Sequence, residues 1–271
     1  NLAIFYKPRG ISDATLAIFN CFIAVEISVL LMIVAFVSMT IRIVWRSALF
    51  HQNLRGMVTF LLTHSYIHVV CRIPLILCIT QVILLDLSDG VGVLEIILII
   101  ASVLRLYHGL TVLFLFCATV VERAFATIRI RDYETTRRIH ISIVLRLAVV
   151  AISLLFALDV TFGEYQFFSK LYRTCYSILQ ITSFEVSLYL YFYNRHRLKH
   201  VLKRPESYSL SLRYQLIENL RSFRFLQVIT TAGVVGITVN CLVLMTPHYV
   251  LQDDLNARAL CGASFEMLYA L

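Results

Sequence analysis

Residues 91–132 read VGVLEIILIIASVLRLYHGLTVLFLFCATVVERAFATIRIRD, and this stretch decides the fold. Its apolar run breaks off at Glu122-Arg123, and cations follow at Arg129 and Arg131. A helix of about 20 apolar residues crosses the hydrocarbon layer of a bilayer. The run therefore predicts a membrane-spanning helix over roughly residues 92–121, with an acid–base pair at one mouth. Arg105 and His108 interrupt it and, three apart, share a helical face. The helix reads as the central post of a bundle, its middle turned to a ligand and its end to a cytoplasmic partner.

Composition agrees with that reading. Of 271 residues, 59% are hydrophobic and only 15% are charged. Soluble domains carry about 25% charged residues, and a charge in mid-bilayer costs several kcal/mol. Six further apolar segments follow the same rule, at roughly 16–43, 57–79, 141–161, 172–193, 225–245 and 257–271. The expected fold is an all-α membrane protein, a single seven-helix transmembrane bundle with its seventh helix truncated. No basic stretch followed by a short apolar run opens the chain, so no signal peptide is expected. The chain starts at Asn1 and stops at Leu271 inside an apolar run, and it is expected to be a fragment cut at both ends.

The net charge of +8 is sorted rather than spread. Sixteen of the 24 Lys and Arg residues lie in the connections after the first, third and fifth segments, the densest being 194–224. The opposite side holds only Lys7, Arg9, Lys170, Arg173 and Arg258. Positive loops stay cytoplasmic, which places the N-terminus outside. This asymmetry accounts for the basic charge with a lipid bilayer as partner and without nucleic acid. Seven cysteines are scattered with no metal-ligand spacing. His64 and His68 share a helical face, but Ser65 stands where a zinc-binding HExxH helix needs glutamate, so interhelical hydrogen bonding is expected. No metal, no cofactor and no enzymatic activity are expected.

Several charges fall inside the segments: Glu26, Arg72, Arg105, Glu185 and Glu266. Intramembrane charges are costly, face the interior and pair. One reading is a structural ion-pair network between helices. The other makes Arg105 and His108, with Glu26, Arg72, Glu185 and Glu266 around them, a site for an anionic or hydrogen-bond-accepting small molecule. Arg105 lies about 27 Å from Arg123 at 1.5 Å per residue. Arg146, just inside the fourth segment, is expected to snorkel to the cytoplasmic surface. Glu122-Arg123 has two readings of its own, an interfacial pair that merely ends a helix, or a latch releasing its guanidinium to a partner. In the stretch 208–224, Leu210, Tyr214, Ile217 and Leu220 recur at helical spacing, which predicts an amphipathic cytoplasmic extension of helix six. That face could attract anionic lipid or dock a protein.

Three motifs carry a resemblance. They are ERAFAT at 122–127 with DYE at 132–134, HQNL at 51–54, and YSLSLRYQLIENLR at 208–221. With seven helices and an outside N-terminus, they make the chain resemble the nematode serpentine chemoreceptors of class e, the Sre family of G-protein-coupled receptors. The resemblance implies an odorant or pheromone receptor in the plasma membrane of a sensory-neuron cilium, coupled to a heterotrimeric G protein. It assigns coupling to Glu122, Arg123, Arg129, Arg131, Arg213, Glu218 and Arg221. The chain departs from the wider rhodopsin-like pattern: residues 91–95 lack cysteine, and the sixth segment lacks a central proline. Cys78 and Cys175 are the pair that could replace the usual disulfide. The rival reading is a transporter or channel using the buried Arg/Glu set as an ion path. No inverted repeat or matched broken helices support it.

Overall fold

The computed structural model describes residues 13–46, 52–80, 92–130, 139–162, 166–203, 212–228 and 231. The chain is all-helical there, with α1 (Asp13–Arg46), α2 (Gln52–Ile79), α3 (Val93–Ile128), α4 (Ile139–Phe162) and α5 (Gln166–Lys203). A sixth helix, α6, covers residues 212–228. Helices are the form in which a lone segment satisfies all its backbone hydrogen bonds within lipid. Four stretches are long and apolar enough to cross a membrane, Leu16–Arg46, Gln52–Cys78, Glu95–Ile128 and Ile139–Phe162. Their outward faces carry exposed apolar side chains such as Leu31, Phe36, Leu147 and Leu155, which acyl chains would cover. The predicted seventh span, Glu266 within it, and most of the predicted sixth lie outside the described residues.

The helices outrun the apolar segments. The run in α3 ends at Val121, yet the helix continues to Ile128, and α5 continues past Tyr193 to Lys203. Hydropathy reports the hydrocarbon layer, whereas helical hydrogen bonding continues into the polar interface.

The chain divides into two compact units. The first comprises 1–39, 64–106 and 232–271, and the second comprises 40–63 and 107–231. In the first unit, α1 and α2 run antiparallel, because Glu26 pairs with Arg72 and Ser38 with Tyr66. Phe19, Ile23, Val29, Leu30 and Ile76 form one apolar cluster there. Cys71, Leu75, Cys78, Leu98 and Ala101 form another, joining α2 to α3. The Ser38 hydroxyl donates to the carbonyl of Val34 at 2.7 Å, so Tyr66 supplies the proton of the 2.7 Å Tyr66–Ser38 bond.

In the second unit, two bonds with one sequence offset set α5 against α3. Gln180 Nε2 donates to the Leu113 carbonyl at 2.8 Å, and Asn194 Nδ2 to Thr127 Oγ1 at 3.1 Å, each across 67 residues. A constant offset means parallel helices in fixed register over about 21 Å. In α6, Asn219 meets Arg123, while Phe223 and Leu226 cluster with Val120, so α6 runs antiparallel to α3. Ser142 Oγ donates to the Asn53 carbonyl, and the Arg146 guanidinium lies over Gly56, so α2 and α4 run parallel. Parallel α3 and α5, parallel α2 and α4, and an α6 antiparallel to α3 are what a chain threading back and forth across a bilayer produces.

Arg146 leans back toward the start of α4, the end to which the snorkelling expectation assigns it. Its Nε donates to the Ser142 carbonyl at 3.1 Å, and its head lies 3.7 to 3.8 Å from where a Cβ on Gly56 would stand. The missing side chain at Gly56 leaves the room in which it lies along α2.

Candidate functional site

Two consecutive charged residues of α3 become almost wholly buried. Glu122 is 0% and Arg123 1% exposed, and Val120, Leu190, Phe223 and Leu226 form an apolar cluster between the same three helices. Arg123 Nε donates to Glu122 Oε2 at 2.5 Å and Nη2 to Oε1 at 2.8 Å, a two-pronged fit of planar guanidinium to carboxylate. A buried charge without such a partner would cost several kcal/mol. The third prong leaves the helix, as Nη1 donates to Asn219 Oδ1 on α6 at 3.4 Å.

Thr127, one turn on, gathers the rest. Its hydroxyl donates to the Arg123 carbonyl at 2.9 Å and accepts from Asn194 of α5 at 3.1 Å. Asn219 Nδ2 approaches the same oxygen at 3.5 Å. Asn194 also donates to its own helix, to Leu190 O at 2.7 Å. A single hydroxyl on α3 thus joins α5 and α6. These groups are buried, with Asn194 at 0%, Thr127 at 1% and Asn219 at 4% exposure. The arrangement holds three helix ends together through neutral amides and one internally neutralised guanidinium.

The first unit contains a second buried ion pair. Arg72 of α2 donates through Nε and Nη2 to both carboxylate oxygens of Glu26 on α1, Nη2 to Oε2 at 3.0 Å. Both side chains are 3% exposed.

A family model described as Sre G protein-coupled chemoreceptor matches residues 8–271. The chain belongs to the Sre family. It is similar to serpentine receptor class epsilon-21 of Caenorhabditis elegans, with 34% identity over 162 residues. That match covers 58% of this Sre chain and 43% of the relative, so the chain spans less than half of the relative's length.

The other candidate residues of this Sre chain fall as follows. Arg105 and His108 are half-buried, one turn apart on α3. Glu185 is exposed on α5, on the face opposite the buried Ser183, Ser187, Leu190 and Asn194. Arg129 and Arg221 are exposed, and Arg213 and Glu218 half-buried. Arg131, Glu266 and the side chain of Cys175 lie outside the described residues. Cys78 is a buried thiol in the α2–α3 cluster. Among the described residues no three His, Cys, Asp or Glu side chains gather as a metal site.

The buried face of α6 differs from the expected stripe. Tyr214 is 51% exposed, while Gln215, Leu216, Asn219, Ser222, Phe223 and Leu226 turn inward. Half of that face is polar, so hydrophobic spacing alone picks the wrong phase. Sequence reading also missed Thr127, Asn194 and Asn219. The available signal lay in α5, where Gln180, Ser183, Ser187 and Asn194, with Leu190 among them, recur every three or four residues, a stripe mostly of small or amide side chains within an otherwise bulky helix.

Proposed function

We propose that this chain is a chemosensory receptor that detects a small odorant or pheromone and activates a heterotrimeric G protein without chemistry of its own. One observation carries the reading. Arg123 is already neutralised within its own helix by Glu122, and its guanidinium reaches α6 through a hydrogen bond to Asn219 at 3.4 Å. Separating α6 from α3 breaks that bond and presents a preformed Glu122–Arg123 head to a cytoplasmic partner. A hydrogen bond to a charged group contributes about 1.5–3 kcal/mol, a scale that ligand binding can offset. The ligand shifts the balance only by its differential affinity for the two states. We place it against Arg105 and His108, on the same continuous helix as Arg123, with an anionic or hydrogen-bond-accepting group toward Arg105. Glu26 and Arg72 pair with each other across α1 and α2 and serve as a structural clamp.

The test is expression of the receptor with a promiscuous Gα subunit and a calcium reporter, screened against odorant pools. A concentration-dependent response is expected, lost in Arg123→Ala at unchanged surface level and weakened at least tenfold in Arg105→Ala. Solute or ion flux in receptor liposomes, with no nucleotide exchange on any Gα, would overturn the reading in favour of a transporter.

A further inference from the structure

Beyond Asn194, the last turns of α5 project past the Thr127 level of α3 by the fixed register of the two helices. Their side chains sort by face. Tyr189, Phe192, His196, Lys199, His200 and Lys203 are exposed on the side opposite the α3 contact. The order along this strip is aromatic first, cationic after. Tyr189 and Tyr193 stack at 6.2 Å between ring centroids, and His196 and His200 meet edge-on at 4.6 Å. Arg195 flanks the strip, and no acidic residue occurs between 186 and 203. Aromatic rings at the level where a helix leaves the hydrocarbon are membrane-interface anchors, and juxtamembrane cations bind anionic lipid.

Length narrows the ligand. From Tyr193 to Lys203 the helix advances about 15 Å, whereas the headgroup layer beyond the hydrocarbon is about 5–7 Å deep on each side. Arg195 and His196 lie at the depth of an ordinary lipid phosphodiester. Lys199, His200 and Lys203 reach farther, to the depth at which phosphates carried on an inositol ring stand.

We propose that this strip of α5 binds a polyphosphorylated inositol lipid of the cytoplasmic leaflet. The aromatic rings set the depth, Arg195 and His196 take the phosphodiester, and Lys199, His200 and Lys203 take the distal phosphates. The inference rests on the receptor reading only in placing this end of α5 at the inner membrane surface; it needs neither ligand nor G protein.

The experiment uses the purified full chain in vesicles of phosphatidylcholine containing trace fluorescent phosphatidylinositol bisphosphate or trace fluorescent phosphatidylserine, with energy transfer from a labelled receptor as readout. Enrichment of the bisphosphate lipid over phosphatidylserine is expected. Lys199→Gln/His200→Gln/Lys203→Gln should weaken it by about fivefold per charged cation removed, while a charge-matched Arg42→Gln/Arg46→Gln control on α1 should retain it. Absence of a preference in the unsubstituted receptor overturns the proposal, and that measurement requires no variant to fold. Equal loss in the α1 control also overturns it, as that means net charge alone attracts the lipid. A triple variant that keeps the lipid but loses G-protein coupling overturns it in favour of a protein contact. Loss of lipid preference with odorant responses intact supports the lipid site, and failure of the odorant screen leaves the lipid measurement unchanged.

Discussion

The two buried arginine–glutamate pairs use the same two-pronged contact to opposite ends. Glu26–Arg72 bridges α1 and α2, so its charges separate only if those helices part. Glu122–Arg123 sits on consecutive residues of α3, so its two-pronged contact does not require a second helix. The first is a clamp between helices. The second is a pair held within one helix, and it meets its neighbours through a 3.4 Å bond from the guanidinium to Asn219 and an oxygen on Thr127 shared between two amides. Where acid and base sit in the chain, more than their burial, decides whether a pair fixes a structure or leaves it able to move.

Breaking the clamp should have the largest effect. Arg72→Ala strands a buried carboxylate, a loss of about 3–5 kcal/mol, seen as loss of surface receptor and a lower melting temperature in detergent. Glu26→Gln with Arg72→Met should recover most of it, because buried ion pairs exchange for well-packed neutral groups at little cost. A single Arg72→Ala as stable as the parent would remove the contrast between the pairs.

Asn219→Leu comes next. It deletes the α6 end of the bond to Arg123, about 1.5–3 kcal/mol, while leaving Glu122–Arg123 intact. Ligand-independent signalling should rise roughly tenfold or more with little change in surface level, measured as basal nucleotide exchange. A fall in basal signalling would show that Asn219 supports the active arrangement instead. Asn194→Leu should act in the same direction but less, about 1 kcal/mol, because Asn194 touches Thr127 and its own helix but not the guanidinium in the bonds seen here. The smallest effect is expected for Tyr66→Phe. It removes one interhelical hydrogen bond to Ser38, about 0.6 kcal/mol by the average for such bonds in membrane bundles, read as a small shift in thermal unfolding with signalling unchanged.

The bundle was legible because burying a chain in lipid leaves a coarse signature: apolar runs, cations sorted to one side, Glu122-Arg123 at a run's end. The site was only partly legible. Arg123 announces itself as a charge beside a greasy run. Asn194 reads as the first residue of a loop, and Asn219 is the least conspicuous member of a charged stretch. Amides carry no charge to sort and no apolar period, so only the meeting of α3, α5 and α6 reveals them. The face of α6 was misread for the same reason, since its inward residues include Gln215, Asn219 and Ser222. For Arg146 the sequence reports a charge near a helix end but not that Gly56 on another helix leaves it room.

The shared offset of 67 between Gln180–Leu113 and Asn194–Thr127 ties the lengths of two helices to each other. Deleting one residue of α5 between those points would swing everything downstream by about 100° and carry Asn194 off its mark. Only a matching deletion in α3 would restore it. Insertions and deletions in related chains should therefore accumulate in the connecting loops, and any that enter these two helices should come in compensated pairs.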